Sequence, residues 1–135
     1  SVARRRAEPL TLGWLDLDRF KEINDQYGHE EGDKALKAMA QLMRASFREA
    51  DLLVRFGGDE FAVLFADTDE QGAWIAMQYL AEQVESYNAR KLHPWSLHFS
   101  WGLSEFDHNG NDLQQWLKDA DEKMYAMKQQ RQRAR

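Results

Sequence analysis

The stretch LVRFGGDEFAVLF, residues 53–65, decides the fold of this 135-residue chain. Apolar residues alternate with other residues on both sides of Gly57 and Gly58, as in two half-buried strands. Because glycine adopts positive φ without a steric penalty, the stretch predicts a β-hairpin. Asp59 and Glu60 lie at its turn, beside backbone that carries no side chains. Two carboxylates at a bare turn suit a hard divalent cation, although a plain polar hairpin turn explains the same residues.

Another strand is predicted before the hairpin. The run LTLGWLDL, residues 10–17, is apolar, has the length of a strand and ends in carboxylates. At the end of a strand, Asp16 is a candidate metal ligand. An aspartate in this position is more commonly a helix N-cap, and Asp18 fits that role before RFKEIN.

Helical periodicity accounts for most of the remaining chain. The predicted helices cover residues 19–26, a longer segment whose first turn is acidic at residues 30–33, residues 66–88, and the segment from about residue 112 onward. Strand character returns over residues 95–106. The order strand, helix, helix, hairpin, helix, strand, helix predicts an α+β fold with a mostly antiparallel central sheet flanked by helices. The length is that of a single domain, residues 1–135.

Composition argues against several classes of protein. The chain contains no cysteine, which excludes disulfides and thiolate metal sites. No apolar run approaches the roughly eighteen residues of a membrane span, and no apolar region follows Arg4–Arg6, so no signal peptide is predicted and we expect a cytoplasmic domain. A net charge of −5 argues against broad nucleic-acid binding.

Four blocks of the sequence together resemble the GGDEF family of diguanylate cyclases. They are, in the family's order, DLDRFKEINDQYGHEEGD, RFGGDEF, HFSWG and ADEKMYAMK. The resemblance extends over residues 10–131. It implies a fold similar to the palm of adenylyl cyclases and polymerases, and condensation of two GTP molecules into cyclic di-GMP with release of two pyrophosphates. The family's DxLTGLxNR segment is missing, so we expect a catalytic fragment of a longer, sensor-linked protein. Anchoring of that protein to a membrane through the missing N-terminal part is left open.

The resemblance also assigns a metal site. Mg²⁺ or Mn²⁺ is the expected cofactor, because a divalent cation neutralises the charge that develops when a 3′-hydroxyl attacks an α-phosphate. The expected metal ligands are Asp16, the backbone carbonyl of Leu17, Asp59 and Glu60. Asp59 and Glu60 are also the expected catalytic residues, and Glu60 has a second possible role in deprotonating the attacking hydroxyl.

GTP is the substrate that the resemblance implies. The expected substrate-binding residues are Asn24, Asp33, His29, Lys21 and Lys128. An amide and a carboxylate match the edge of guanine, and lysines suit a triphosphate. For His29 a local hydrogen bond to the backbone is an equally good explanation. The family's second phosphate-binding arginine falls on Gln132, so Arg131 or Arg133 is the expected replacement.

An inhibitory product site is implied by Arg48-Glu49-Ala50-Asp51, which matches the family's RxxD motif at the usual distance before the signature. The guanidinium suits phosphate or guanine, and the carboxylate suits a guanine edge. A local ion pair at the end of a helix is the alternative explanation. A further arginine found in some members falls near Tyr79, so we expect weaker binding of cyclic di-GMP here than in those members.

An active cyclase is therefore the expected function. It is expected to work as a homodimer, since each half-site holds one GTP and neither alone closes the ring. A catalytically weak domain that senses cyclic di-GMP or GTP is the alternative, but Asp16, Asn24, Asp59 and Glu60 are all present. A purely structural dimerisation module would leave the carboxylates unexplained.

Overall fold

The computed structural model describes residues 8–110 and 112–134 of the chain. The elements of this part are β1 (Leu10–Leu17), α1 (Phe20–Tyr27), α2 (His29–Ser46), β2 (Leu52–Gly57), β3 (Glu60–Ala66), α3 (Glu70–Ala89), β4 (Phe99–Glu105) and α4 (Leu113–Arg133). The strands form one sheet in the order β2-β3-β1-β4, and every neighbouring pair is antiparallel. The predicted α+β fold and its order of elements are confirmed.

The central strand β1 divides the apolar core into two layers. Its side chains alternate between the two faces of the sheet. Leu15 and Leu17 enter the main core, which β1 shares with α1, α2 and α3. Leu12 lies on the opposite face, in a smaller cluster with Trp116 and Ala120 of α4. Helices therefore cover both faces of β1, and α4 is the helix on the second face.

The helices bury the stripes that their periodicity predicts. The buried stripe residues of α2 and α3 are Leu36, Met39, Met43, Ala73, Met77, Leu80 and Val84. The α3 helix begins at Glu70 and not at residue 66, because β3 continues to Ala66 and Asp69 provides the cap by accepting from the Gly72 amide at 2.8 Å. Within the described residues, no helix is long and apolar enough to cross a membrane.

The predicted helix cap at Asp18 is wrong. The α1 helix follows Arg19, whose φ of 57° is left-handed, and no side chain caps it. This conformation costs about 1 to 2 kcal/mol in a residue other than glycine and turns the chain sharply from β1 into α1. Asp18 is buried instead, and its carboxylate accepts a hydrogen bond from the Ser100 hydroxyl at 2.7 Å.

Two strands differ from their predictions. In β2, Leu53 packs against the main core, but Leu52, Val54 and Phe56 are exposed. β2 is an edge strand, and α4 packs on β4 and β1, so the outer face of β2 stays uncovered. β4 begins at Phe99, not at residue 95, although Trp95 is buried.

Gly102 sets the distance between α4 and the sheet. A Cβ at this position would lie 2.2 Å from the Ala120 carbonyl oxygen and 2.4 Å from the Met124 amide nitrogen. Because both are backbone atoms, we expect Gly102→Ala to force α4 away from β4 and lower the free energy of unfolding by about 3 kcal/mol, measured by urea titration.

Gly72→Ala is the matched control. Its added methyl group would meet only side-chain atoms, at 3.0 Å or more, in the first turn of α3. We expect a change within about 0.5 kcal/mol for this variant. Equal losses of stability in the two variants would contradict the role given to Gly102.

Candidate active site

A row of polar side chains crosses the sheet near the end of β1. Asp16 is the register partner of Glu60 on β3 and of Ser100 on β4. Register partners in an antiparallel sheet lie on the same face, so all three side chains face the α4 side. The predicted metal ligands Asp16 and Glu60 are thus brought together by strand pairing, although they are far apart in sequence.

Asp16 and Asp59 form the acidic centre of this end of the sheet. The Asp59 carbonyl accepts a hydrogen bond from the Leu17 amide at 3.1 Å, which holds the hairpin turn against the end of β1. The Asp16 side chain is 15% exposed, and its Oδ1 is buried without a hydrogen-bond partner. Burial, and next the adjacent carboxylate of Asp59, raise the pKa of Asp16 to about 7, while Lys128 opposes the shift.

The Lys128 ammonium reaches this centre from α4. It donates to the Leu17 carbonyl at 3.0 Å and lies 3.2 Å from Asp16 Oδ2 and 3.4 Å from Asp18 Oδ1. The Lys128 ammonium therefore contacts the Leu17 carbonyl and the Asp16 carboxylate, two of the expected metal ligands.

These residues fit a divalent cation. Two carboxylates and a main-chain carbonyl are hard oxygen donors of the kind that Mg²⁺ and Mn²⁺ bind, and the unpartnered Oδ1 of Asp16 offers a further donor atom. In residues 8–110 and 112–134, no three acidic or histidine side chains converge on one such point. Mg²⁺ commonly takes one or two carboxylates and completes its shell with water and phosphate oxygens.

The Glu60 carboxylate is held on the α4 side of the sheet. Its Oε1 accepts a hydrogen bond from the Trp14 indole nitrogen at 2.9 Å. Its charge also reaches α4, where burial and then Glu60 raise the pKa of Asp121. The carboxylate is thus positioned by Trp14, a residue that the sequence did not single out.

Asp18 connects β1, β4 and α4. Its carboxylate accepts from Ser100 and faces both Lys128 and Arg131, the latter at 3.4 Å. No role for Ser100 was predicted from the sequence. The available signal was that Asp18 follows Asp16 by two residues, so that both fall on the same side of an extended strand.

A cavity of about 430 Å³ lies on the opposite side of β3, beside α2. Its lining includes Asp33, Leu36, Arg55 and Phe61. The cavity therefore contains one of the predicted guanine-binding residues, and apolar side chains that suit a flat base.

The other predicted substrate-binding residues are placed differently. The Asn24 amide lies over Gly32, where a Cβ would come within 1.8 Å of its Oδ1, so the glycine allows Asn24 to approach the turn next to Asp33. His29 is exposed at the first residue of α2. Lys21 is exposed on α1 and pairs with Asp25 at 2.8 Å.

The hairpin turn joins the cavity to the carboxylates. Gly57 and Gly58 have φ of 104° and 52°, as the predicted turn requires, and a Cβ on either would meet nothing within 4 Å. Arg55, which lines the cavity, donates to the Gly58 carbonyl at 2.9 Å. Backbone without side chains, at the two glycines, therefore lies between the cavity residue Arg55 and Asp59.

Arg48 and Asp51 form an internal network at the other end of the hairpin. The Asp51 side chain is 3% exposed and accepts from the Arg48 guanidinium at 3.0 Å and from the Ala66 amide at 3.3 Å. Arg48 also donates to the Ala66 carbonyl and to the Thr68 hydroxyl. The predicted local ion pair is present, and it ties the end of α2 to the end of β3.

Known proteins resemble this chain over nearly its whole length. At the level of sequence, 34% of 125 residues are identical to the probable diguanylate cyclase DgcC of Escherichia coli K12, covering 93% of this chain and 34% of DgcC. The cyclic di-GMP phosphodiesterase NbdA of Pseudomonas aeruginosa is 36% identical over 87% of this chain and 15% of NbdA. The chain thus spans about a third or less of these two relatives.

The fold has solved counterparts. The structure of the GGDEF domain of TpbB (also named YfiN) from Pseudomonas aeruginosa matches with a TM-score of 0.82 and 32% identity, over 96% of this chain and 76% of that one. The family model described as diguanylate cyclase, GGDEF domain, matches residues 1–134. The carboxylates at the hairpin and at the end of β1 are thus set in a known framework, and the chain belongs to the GGDEF domain family of diguanylate cyclases.

Proposed function

We propose that this domain condenses two molecules of GTP into cyclic di-GMP and releases two pyrophosphates, with Mg²⁺ or Mn²⁺ as cofactor. The observation that carries the proposal is the pairing of Asp16, with its unpartnered buried oxygen, with Asp59 and the Leu17 carbonyl. This oxygen cluster lies at the end of a bare turn that leads from a base-sized cavity. Phosphoryl transfer depends mainly on such positioning and charge neutralisation.

The metal would be held by Asp16, Asp59 and the Leu17 carbonyl. When bound there, it neutralises charge on the α-phosphate and on the leaving pyrophosphate. Lys128 contacts Asp16 and the Leu17 carbonyl. Its ammonium lies on a flexible stem and would serve as a cation for the triphosphate. The side chain of Glu60, fixed by Trp14, accepts the proton of the attacking hydroxyl or contributes to metal binding.

The guanine base is placed by the α1–α2 region. Asp33 accepts hydrogen bonds from guanine N1–H and N2–H in the cavity beside α2, and Asn24 supplies an amide from α1. Each copy of the domain holds one GTP in this way. Ring closure needs two copies that face each other, so the active form is a homodimer.

A catalytically weak sensor of GTP or cyclic di-GMP is the second candidate. It is favoured by Gln132, which stands where the family has a phosphate-binding arginine, and by Lys21, which pairs with Asp25 on the surface of α1. Incubation with GTP and Mg²⁺ at several protein concentrations separates the two candidates. A cyclase forms cyclic di-GMP at a rate that rises more steeply than linearly with protein, and a sensor binds nucleotide without forming product.

The first prediction concerns the hairpin carboxylates. Asp59→Asn and Glu60→Gln should each lower turnover about 100-fold or more, because each removes charge stabilisation worth about 3 kcal/mol in the transition state. Both residues lie at the hairpin turn, so the melting temperature should change little. Asp67→Asn, at the exposed turn after β3, is the matched control and should keep parental activity. Near-parental turnover in Asp59→Asn would remove the metal assignment.

The second prediction links pH to metal binding. Because the folded-state pKa of Asp16 is about 7, above its unfolded value near 3.9, the folded state binds this proton more tightly. The resulting stabilisation is complete below about pH 4 and is lost as the pH rises through 7. Mg²⁺ needs the ionised carboxylate, so it should raise the melting temperature about 3 °C more at pH 8 than at pH 6.

Asp16→Asn tests the origin of this difference. The variant has no ionisable group at this position. Its melting temperature should therefore depend less on pH than that of the parent, and the gain with Mg²⁺ should no longer differ between pH 6 and pH 8. A gain with Mg²⁺ that is equal at both pH values in the parent would contradict the assignment of Asp16.

The third prediction concerns the product site. Arg48→Ala should weaken the binding of cyclic di-GMP at least about tenfold in calorimetric titrations, since a charge-assisted bidentate contact contributes about 1.5 to 3 kcal/mol. Initial turnover at low product concentration should persist. Arg48 also donates to Ala66 and Thr68, so melting curves must show that the variant is folded at the titration temperature. Equal affinities in the two proteins would leave Arg48 with its internal role alone.

A further inference from the structure

The two oxygens of the Asp18 carboxylate each lie near a different cation. Oδ1 accepts from the Ser100 hydroxyl at 2.7 Å and lies 3.4 Å from the Lys128 ammonium. Oδ2 lies 3.4 Å from the Arg131 guanidinium. The Asp18 side chain is 4% exposed. Burying a carboxylate this deeply lowers the stability of the fold unless a counter-charge and hydrogen bonds stay beside it. Asp18 therefore needs a cation that stays in place when ligands bind.

Lys128 is poorly suited to be that lasting partner. Its ammonium also contacts Asp16 and the Leu17 carbonyl, the groups proposed to hold the metal. A divalent cation on those oxygens and an ammonium about 3 Å away repel each other strongly. A lysine on a flexible stem can move to the triphosphate, and Oδ1 would keep its hydrogen bond from Ser100.

Arg131 is better suited to remain paired with Asp18. Its guanidinium donates to the Phe99 carbonyl of β4 as well as facing Asp18, so it is fixed at two points. Arg131 lies on α4 about one turn after Lys128 and pairs with the other oxygen of Asp18. Among the contacts of the described residues, Arg131 has no ion pair with Asp16 and no hydrogen bond to the Leu17 carbonyl. A metal held by Asp16 would therefore leave these partners of Arg131 in place.

We propose that Arg131 is a positioning residue that neutralises Asp18 permanently and so releases Lys128 to bind the triphosphate of GTP. Arg131 does not itself replace the phosphate-binding arginine expected at residue 132. The triphosphate part of this proposal rests on the proposed cyclase function, whereas the shared pairing of Lys128 and Arg131 with Asp18 does not. Two experiments test these parts separately.

The first experiment is a thermal double-mutant cycle without metal or nucleotide. Arg131→Gln and Lys128→Gln each remove one of the two cations paired with Asp18, and the double variant removes both. We expect the double variant to lose about 3 °C more in melting temperature than the sum of the single losses. Repeating the cycle in Asp18→Asn should abolish this excess, since the amide has no charge to neutralise. Strictly additive losses in the parent background would overturn the shared counter-ion.

The second experiment measures the KM of GTP. In Arg131→Gln, Lys128 remains of the two cations that pair with Asp18, so KM should rise about five- to tenfold while kcat changes much less. Arg131→Lys should restore most of the loss. Asp18→Asn should suppress it, because Lys128 is then no longer retained. An arginine that binds phosphate directly predicts no suppression by Asp18→Asn, and that result would overturn the proposal.

Controls separate this proposal from the proposed function. Arg90→Gln removes an exposed arginine just after α3 and should keep the parental KM. A rise in KM for Arg133→Gln that equals the rise for Arg131→Gln would assign the effect to general charge at the end of α4 and overturn the proposal. If the parent forms no cyclic di-GMP, the cyclase function fails, and the dissociation constant of GTP takes the place of KM in the same set of variants.

Discussion

The register of β1 between β3 and β4 is the constraint on which the site depends. It places Asp16 opposite Glu60 and Ser100 on the face covered by α4. A slip of one residue would turn these side chains into the main core and bring Leu15 or Leu17 outward, which the burial of both leucines opposes. The apolar packing of β1 therefore fixes the polar site, and Gly102 lets α4 approach closely enough for its cations to reach it.

The cost of this arrangement is electrostatic. Asp16, Asp18 and Asp59 meet at one end of the sheet, and two of them are largely removed from water. Lys128 and Arg131 offset part of the charge, yet the pKa of Asp16 is still raised to about 7. Sites built for a charged ligand commonly keep such unfavourable local charge, which the ligand then relieves. The buried Oδ1 of Asp16, which has no hydrogen-bond partner, is the atom where this electrostatic cost is not offset.

Local pattern predicted the framework of this structure, and long-range pairing decided the details of the site. The bounds of β1, the turn at Gly57 and the buried stripes of the helices follow from periodicity and glycine chemistry within short windows. The role of Asp18 does not, because its partners on β4 and α4 lie some 80 and 110 residues away. The exposure of Phe56 was equally hidden, since alternation does not reveal which strand lies at the edge of a sheet.

The RxxD segment has a structural role in this fold, and that role bears on the proposed product site. Asp51 is nearly inaccessible and holds the Ala66 amide, so its carboxylate belongs to the framework of the hairpin. Arg48 is 56% exposed, and its guanidinium has more donors than its internal acceptors use. In the proposed product site, a phosphate or guanine would bind to Arg48 while Asp51 keeps the guanidinium oriented. Under that proposal, Asp51 would act on a ligand mainly by holding the arginine in place, which would reduce the entropy that Arg48 loses on binding.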